Sequence, residues 1–209
     1  MRKVVFATNN PAKLKELNAI FRDICGDEYA LLSLKDVGFT EDIVEDANTF
    51  EGNAYKKAKT VADFCGLAAI ADDSGLEVDA LNGEPGVYSA RYAGEGASSD
   101  MLIAKLLANM QSVKGDARSA RFTSVMCAVL PNGKVLSRRG ECEGFILEEK
   151  KGSGGFGYDP VFYHKPLNKT FAEMTEDEKN SVSHRAIASQ EIIKVLHTLP
   201  EEDFCPANA

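Results

Sequence analysis

No apolar run in the chain approaches the roughly 18 residues that a bilayer-spanning helix needs. The opening "MRKVVFATNN" turns polar too soon for a signal peptide, so an unexported protein that spans no membrane is expected. Cys-x-x-Cys pairs are also missing. Five cysteines, Cys25, Cys65, Cys127, Cys142 and Cys205, are scattered singly, which argues against a disulfide framework or a zinc site and predicts reduced, buried thiols in a cytoplasmic protein. Positive charge is scarce: 24 Lys and Arg against 32 Asp and Glu leave a net charge of −8. Such a surface repels polyanions, so non-specific nucleic-acid binding is not expected, and an anionic ligand must be met by local cations or a metal.

What the chain does have is 209 residues at 44% hydrophobic content, enough for one sizeable core. One domain over 1–200, pinched into two lobes, is expected, with 201–209 as a tail. Lys3 to Ala7 reads as a strand that runs into Thr8-Asn9-Asn10-Pro11-Ala12-Lys13, after which Leu14, Leu17, Ile20 and Phe21 repeat at helical spacing. Asn10 suits the N-cap and Pro11 the first helical position, leaving backbone N–H groups and the positive end of the helix dipole toward the loop. Lys13 opposes that dipole, as a solvated lysine or as a grip on phosphate. A second helix is expected from about Thr49 to Phe64, with Phe50, Ala54, Ala58, Val61 and Ala62 inward and Lys56, Lys57 and Lys59 near its surface. The acidic loop before it carries Glu45 and Asp46.

The run "AIADDSGL" reads as an interior strand ending at Asp72, which would deliver Asp72, Asp73 and Ser74 to the carboxyl edge of a sheet, where open α/β folds place their chemistry. Adjacent acids there repel unless a cation or a shared proton relieves them. Asp-Ser-Gly is good turn chemistry; the stronger reading is an oxygen site for magnesium, which takes one or two carboxylates plus phosphates and waters. Further on, Arg91 lies between Tyr88 and Tyr92 in a loop, as packing or as a phosphate contact. The stripe Leu102, Ile103, Leu106, Leu107, Met110 is assigned to core. Phe122 to Leu130, Pro131-Asn132-Gly133 and Lys134 to Leu136 predict a hairpin with a two-residue Asn-Gly turn, hence a mixed sheet.

Gly152-Ser153-Gly154-Gly155-Phe156-Gly157 fits G-x-G-x-x-G, but a charged stretch precedes it and Pro160 follows, where a dinucleotide site needs a strand and a helix. It reads instead as a flexible loop suited to a flat ring, or as plain surface. Near the C-terminus Thr175 and Glu178 form a capping-box pair. Ser183 is placed to cap a last helix whose inner face is Ala188, Ile192, Val195, Leu196 and Leu199. His184 and Arg185 fall in its first turn against the dipole and, with Lys179 nearby, point to a ligand. His197 reads as structural, and His164 has no nameable partner.

Six blocks in order, "ATNNPAKLKEL", "TFEGNAYKKA", "ADDSGLEVDAL", "GVYSARYAG", "GGFGYDPVF" and "EKNSVSHRAIA", resemble the non-canonical purine nucleoside triphosphate pyrophosphatases, the inosine triphosphatase or Ham1-like family. The resemblance implies an α/β fold with a mixed, elongated central sheet flanked by helices and an active-site cleft between two lobes. It also implies a homodimer and magnesium-dependent hydrolysis of ITP, dITP and XTP to the monophosphate and pyrophosphate, removing deaminated purines. By the same resemblance Thr8, Asn10 and Lys13, within the loop that includes Asn9, Pro11 and Ala12, hold the triphosphate. Glu45 binds metal, Asp73 is the general base and a metal ligand with Ser74 beside it, and Asp72 supports the metal. Lys57 matches the lysine of an Asn-Ala-x-x-Lys-Ala block. Phe156, Gly157, Tyr158 and Asp159 match the base pocket, which Lys179, His184 and Arg185 complete.

Two positions depart from the family pattern: Ala47 stands where glycine is frequent and Gly52 where an acid is frequent, with Glu51 or Asp46 as compensating acids. Two other classes fit parts of the sequence. A nucleotide-binding regulator would use Lys13, Phe156 and Arg185 without needing Glu45 and Asp73. A haloacid-dehalogenase-type phosphatase needs a second acid two residues after its nucleophile, where this chain has Ser74 and Gly75.

Overall fold

The computed structural model describes residues 1–205. Strand β1 (Arg2–Phe6) buries Val4, Val5 and Phe6, the continuous apolar run of a strand covered on both faces. It pairs in parallel with β2 (Tyr29–Leu32), Arg2 opposite Tyr29, and with β3 (Ala68–Val78), Val4 opposite Ala68 and Phe6 opposite Ile70. Helix α1 (Pro11–Cys25) links β1 to β2, and α2 (Phe50–Cys65) precedes β3. Because the right-handed crossovers from β1 to β2 and from β2 to β3 run in opposite directions across the sheet, they place the two helices on opposite faces of this part of it.

Helix α3 (Ser99–Asn109) is followed by β4 (Ser119–Val129), β5 (Val135–Ile146), β6 (Phe162–His164) and β7 (Lys169–Thr170). The strand order is β2-β1-β3-β4-β5-β6-β7, and β5-β6 and β6-β7 are antiparallel. The sheet is therefore mixed and flanked by helices, as expected. The turn between β4 and β5 departs from the sequence reading: Leu130 N–H donates to the Lys134 carbonyl at 2.9 Å, leaving three residues in the loop. Among the loop residues only Gly133 takes positive φ, at 86°, so this is the bulged three-residue hairpin and not the two-residue Asn-Gly turn.

The chain closes with α4 (Glu176–Val182), begun by the expected Thr175/Glu178 capping box, and α5 (His184–Thr198). Ser183 Oγ accepts from Ala186 N–H at 3.2 Å. The inner face of α5 is Ala188, Ile192, Ile193 and Leu196, with Ile193 more buried than the expected Val195.

Two compact units are distinguished: Met1–Asp73 with Val125–Arg139 and the described residues from Ile187 onward, and Ser74–Ser124 with Gly140–Ala186. The first has a core of Val4, Phe6, Leu17, Phe21, Ile70, Met126 and the inner face of α5. The second is built on Leu76, Leu106, Met110, Phe122, Phe162 and Phe171. Of the expected tail, Glu201–Phe204 forms one short turn of 3-10 helix. Phe204 packs edge-on to Tyr29 at 5.7 Å and under the Arg2 guanidinium at 5.0 Å. Residues 206–209 lie outside the described residues.

The cysteines are all reduced, but only Cys25, Cys127 and Cys142 are buried; Cys65 is half-buried and Cys205 exposed, which corrects the expectation of uniform burial.

Candidate active site

The strand carrying the acidic pair does not end at Asp72. It continues to Val78, so Asp72 and Asp73 stand inside β3, two and three residues past Ile70, the partner of the last residue of β1. They mark the carboxyl end of β1 rather than of their own strand. Successive strand residues project to opposite faces, and this separates the two charges. Asp72 shares the parity of Ala68 and Ile70, which pack with Leu17 and Phe21 of α1. Its carboxylate accepts from Lys13 Nζ at 2.8 and 3.1 Å. Asp73 faces α2, accepting from Asn53 Nδ2 at 2.9 Å and lying 4.0 Å from Lys57 Nζ. Each acid has a polar partner on a different helix, so the two buried neighbours are compensated on opposite faces of the strand.

Helix α2 also gathers the acidic loop. Thr49 caps it, accepting from Gly52 N–H at 3.0 Å. Asn53 and Lys57, four residues apart, share one face of the helix. Lys57 Nζ donates to Glu45 Oε1 at 2.8 Å, and Asn53 Oδ1 accepts from Ala47 N–H at 2.9 Å. Glu45 and Asp73 thus converge on one ammonium group, while Asp72 lies on the other face and is anchored to Lys13. Asp72 stands apart from the two acids that meet at Lys57. Two converging carboxylates suit a hard divalent cation that draws its remaining ligands from water and phosphate. Among the described residues no three His, Cys, Asp or Glu gather into a metal cluster.

The two departures from the family pattern touch each other: a Cβ placed on Gly52 would lie 2.7 Å from Ala47 Cβ. With alanine at 47, a side chain at 52 has no room. Neither expected substitute acid joins Glu45, since Asp46 pairs with Lys56 at 2.6 Å and Glu51 with Arg139 at 3.2 Å.

At the start of α1, Asn10 is the N-cap as expected, but its Oδ1 already accepts from Ala12 N–H at 2.9 Å and Lys13 N–H at 3.3 Å. Thr8 Oγ1 accepts from Asn10 N–H at 3.1 Å. The Asn10, Ala12 and Lys13 N–H groups are therefore already engaged within the loop, and an anion there would displace the Asn10 side chain or bind through the dipole and Lys13. Asn9, Asn10, Pro11 and Ala12 are exposed.

In the second unit, Asp159 is buried and its Oδ2 accepts from Phe156 N–H at 2.8 Å and Lys179 Nζ at 2.6 Å. Gly155 is required here: its φ is +72°, and a Cβ would fall 2.0 Å from that oxygen. The Lys179 ammonium lies 5.0 Å from the Phe156 ring centroid and 5.3 Å from that of Phe171, and Phe156 is 64% exposed. Gly157 N–H donates to Ser99 Oγ at 3.0 Å. Tyr158 is buried: its ring belongs to the core and its hydroxyl donates to the Ser89 carbonyl at 2.9 Å. Burial pushes that phenol up from its ordinary range. His184 is buried and stacked on Phe122 at 4.9 Å, whereas Arg185 is half-buried in the first turn of α5. Ser74 Oγ lies 3.3 Å from Ser124 Oγ. Arg91 stacks on Tyr88 at 5.1 Å.

Sequence reasoning missed Asn53. Its signal was a polar residue beside the inward stripe of α2, one turn before Lys57.

A mixed α/β sheet, with carboxylates and lysines collected at the end of its central parallel strand, defines the class of protein. The chain belongs to the Ham1 family, whose model matches residues 4–195. It is 50% identical over 198 residues to a dITP/XTP pyrophosphatase of Desulforamulus reducens, covering 94% of this chain and 96% of that one. With the dITP/XTP pyrophosphatase of Bacillus subtilis it shares 44% over 196 residues, 94% and 98% of the two chains. Among solved structures, a Ham1 protein from Coxiella burnetii superposes with a TM-score of 0.88 at 38% identity, covering 95% and 100% of the two chains. The Staphylococcus aureus Ham1 protein does so with 0.85 at 38% identity, covering 93% and 98%.

Proposed function

We propose that this chain hydrolyses deaminated purine nucleoside triphosphates, ITP, dITP and XTP, to the monophosphate and pyrophosphate, with magnesium. The observation that carries this is the convergence of Glu45 and Asp73 on Lys57, in a chain half identical to a dITP/XTP pyrophosphatase.

Asp73 takes the proton of a water molecule, its carboxylate held in place by Asn53. The water oxygen bonds to the α-phosphorus, and the bond from that phosphorus to the bridging oxygen breaks. Pyrophosphate leaves with the electron pair. Lys57 and Lys13 supply positive charge where phosphate charge grows, and the loop Thr8 to Lys13, exposed over Asn9 to Ala12, holds the triphosphate at the positive end of α1. Magnesium, which Glu45 and Asp73 would hold, supplies further electrostatic stabilisation of the phosphates. Asp72 serves as the anchor of Lys13.

The purine is assigned to Phe156, with its ring beneath the Lys179 ammonium, and to donors from His184 and Arg185 toward O6. An adenine amino group would face those donors and leave them unpaired, which rejects it more strongly than poor fit. The net charge of −8 favours free nucleotides over nucleic acid, and no helix among the described residues is long and apolar enough to cross a membrane. We extend the reading to a cytoplasmic homodimer. The test is product analysis with ITP, XTP, GTP and ATP: IMP plus pyrophosphate from ITP with little turnover of ATP supports it, and inorganic phosphate or equal use of ATP contradicts it.

A further inference from the structure

We infer that Asn53 is a positioning residue that fixes the distance between the two carboxylates of the site; this rests on the proposed roles of Glu45 and Asp73. Residues 39–48 form no helix or strand, so backbone pairing does not place Glu45. Two side chains from one face of α2 make contacts that do. Lys57 takes the Glu45 carboxylate, and Asn53 takes the Ala47 N–H two residues further on. Asn53 is 1% exposed, and its other end donates to Asp73 Oδ2 at 2.9 Å. The amide cannot be turned around, because a backbone N–H only donates and a carboxylate only accepts. One buried amide therefore ties the acidic loop to the catalytic strand. Gly52, the residue before it, lacks the Cβ that would push Ala47 away.

Two substitutions separate the two ends. Asn53→Asp keeps an acceptor for Ala47 N–H but sets a second carboxylate against Asp73. Asn53→Leu removes both ties at similar volume. In the full chain with magnesium and ITP, kcat should fall about 10- to 100-fold for both variants, the range for loss of a group that orients a ligating side chain. KM should stay within about twofold, because Asn53 acts through Asp73 and the loop and not on the nucleotide. Hydrogen exchange of the loop around Ala47 gives a readout that needs no turnover: protection should persist in Asn53→Asp and drop in Asn53→Leu. Wild-type kcat in either folded variant, or unchanged exchange in Asn53→Leu, would overturn the inference. If Asn53→Leu does not fold, Asn53→Asp, which is nearly isosteric, still decides it by its kcat. A wild-type protein that releases no pyrophosphate from ITP would instead sink the proposed function and leave the exchange comparison standing.

Discussion

Lys13 has two jobs in this molecule. It is proposed to meet phosphate at the start of α1, and it is also the cation of a carboxylate only 2% exposed. Replacing it by methionine removes the ammonium group that donates to the buried Asp72 carboxylate, and breaking a buried pair from one side costs on the order of 3 kcal/mol. Urea denaturation should show Lys13→Met losing much more stability than Lys13→Met combined with Asp72→Leu; equal losses would mean that the pair is not coupled. His164 offers a pH test. Burial holds its imidazole below the ordinary range, so the unfolded chain takes up a proton that the folded chain resists. Stability should then fall as pH drops through about 6.5, and His164→Phe should flatten that slope in thermal melts. Among the thiols, burial pushes Cys127 and Cys142 up to about 11. Iodoacetamide at pH 8 should label the exposed Cys205 in the native protein and spare those two, as mass spectrometry of peptides would report.

Elements begin and end where local chemistry says, until a distant partner intervenes. Asn10-Pro11 and Thr175-x-x-Glu178 announced their helices, because a cap is written within four residues of itself. The end of β3 was not legible. "DDSGLEV" looks like the exit from a strand, yet the strand continues because Lys13, 59 residues earlier, and Asn53, 20 residues earlier, satisfy its acids. The same blindness hid Asn53, whose only mark was a place on the polar edge of an inward face. In the hairpin, Asn132-Gly133 was read correctly as a turn and wrongly as its whole length, since loop length is set by which residues close the ladder. The acidic loop and α2 supply a prediction at this scale. Gly52→Glu would gain about 1 kcal/mol of helix propensity but forces a side chain against Ala47 Cβ at 2.7 Å, an overpacking cost of about 1–3 kcal/mol. Thermal melts should show Gly52→Glu less stable than wild type and Ala47→Gly/Gly52→Glu recovered; additive effects would mean that the two positions are independent.

For the whole molecule, membership of the Ham1 family rests on nearly full-length likeness in sequence and in solved structures. A chain of net charge −8 that handles a triphosphate must concentrate its cations, and it does so by tying Lys13 and Lys57 to acids that hold them in place. In the proposed mechanism the two adjacent acids are not redundant: Asp72 anchors Lys13 and Asp73 is the base. The measurement that tests this most directly is single-substitution kinetics of ITP hydrolysis with magnesium, comparing Asp73→Asn with wild type and with chelator, and with folding checked by circular dichroism. Loss of general-base catalysis predicts a fall in kcat of about 10²- to 10⁴-fold for a folded Asp73→Asn, and no pyrophosphate from wild type once magnesium is removed. A folded Asp73→Asn that turns over ITP near the wild-type rate would contradict the account at its centre.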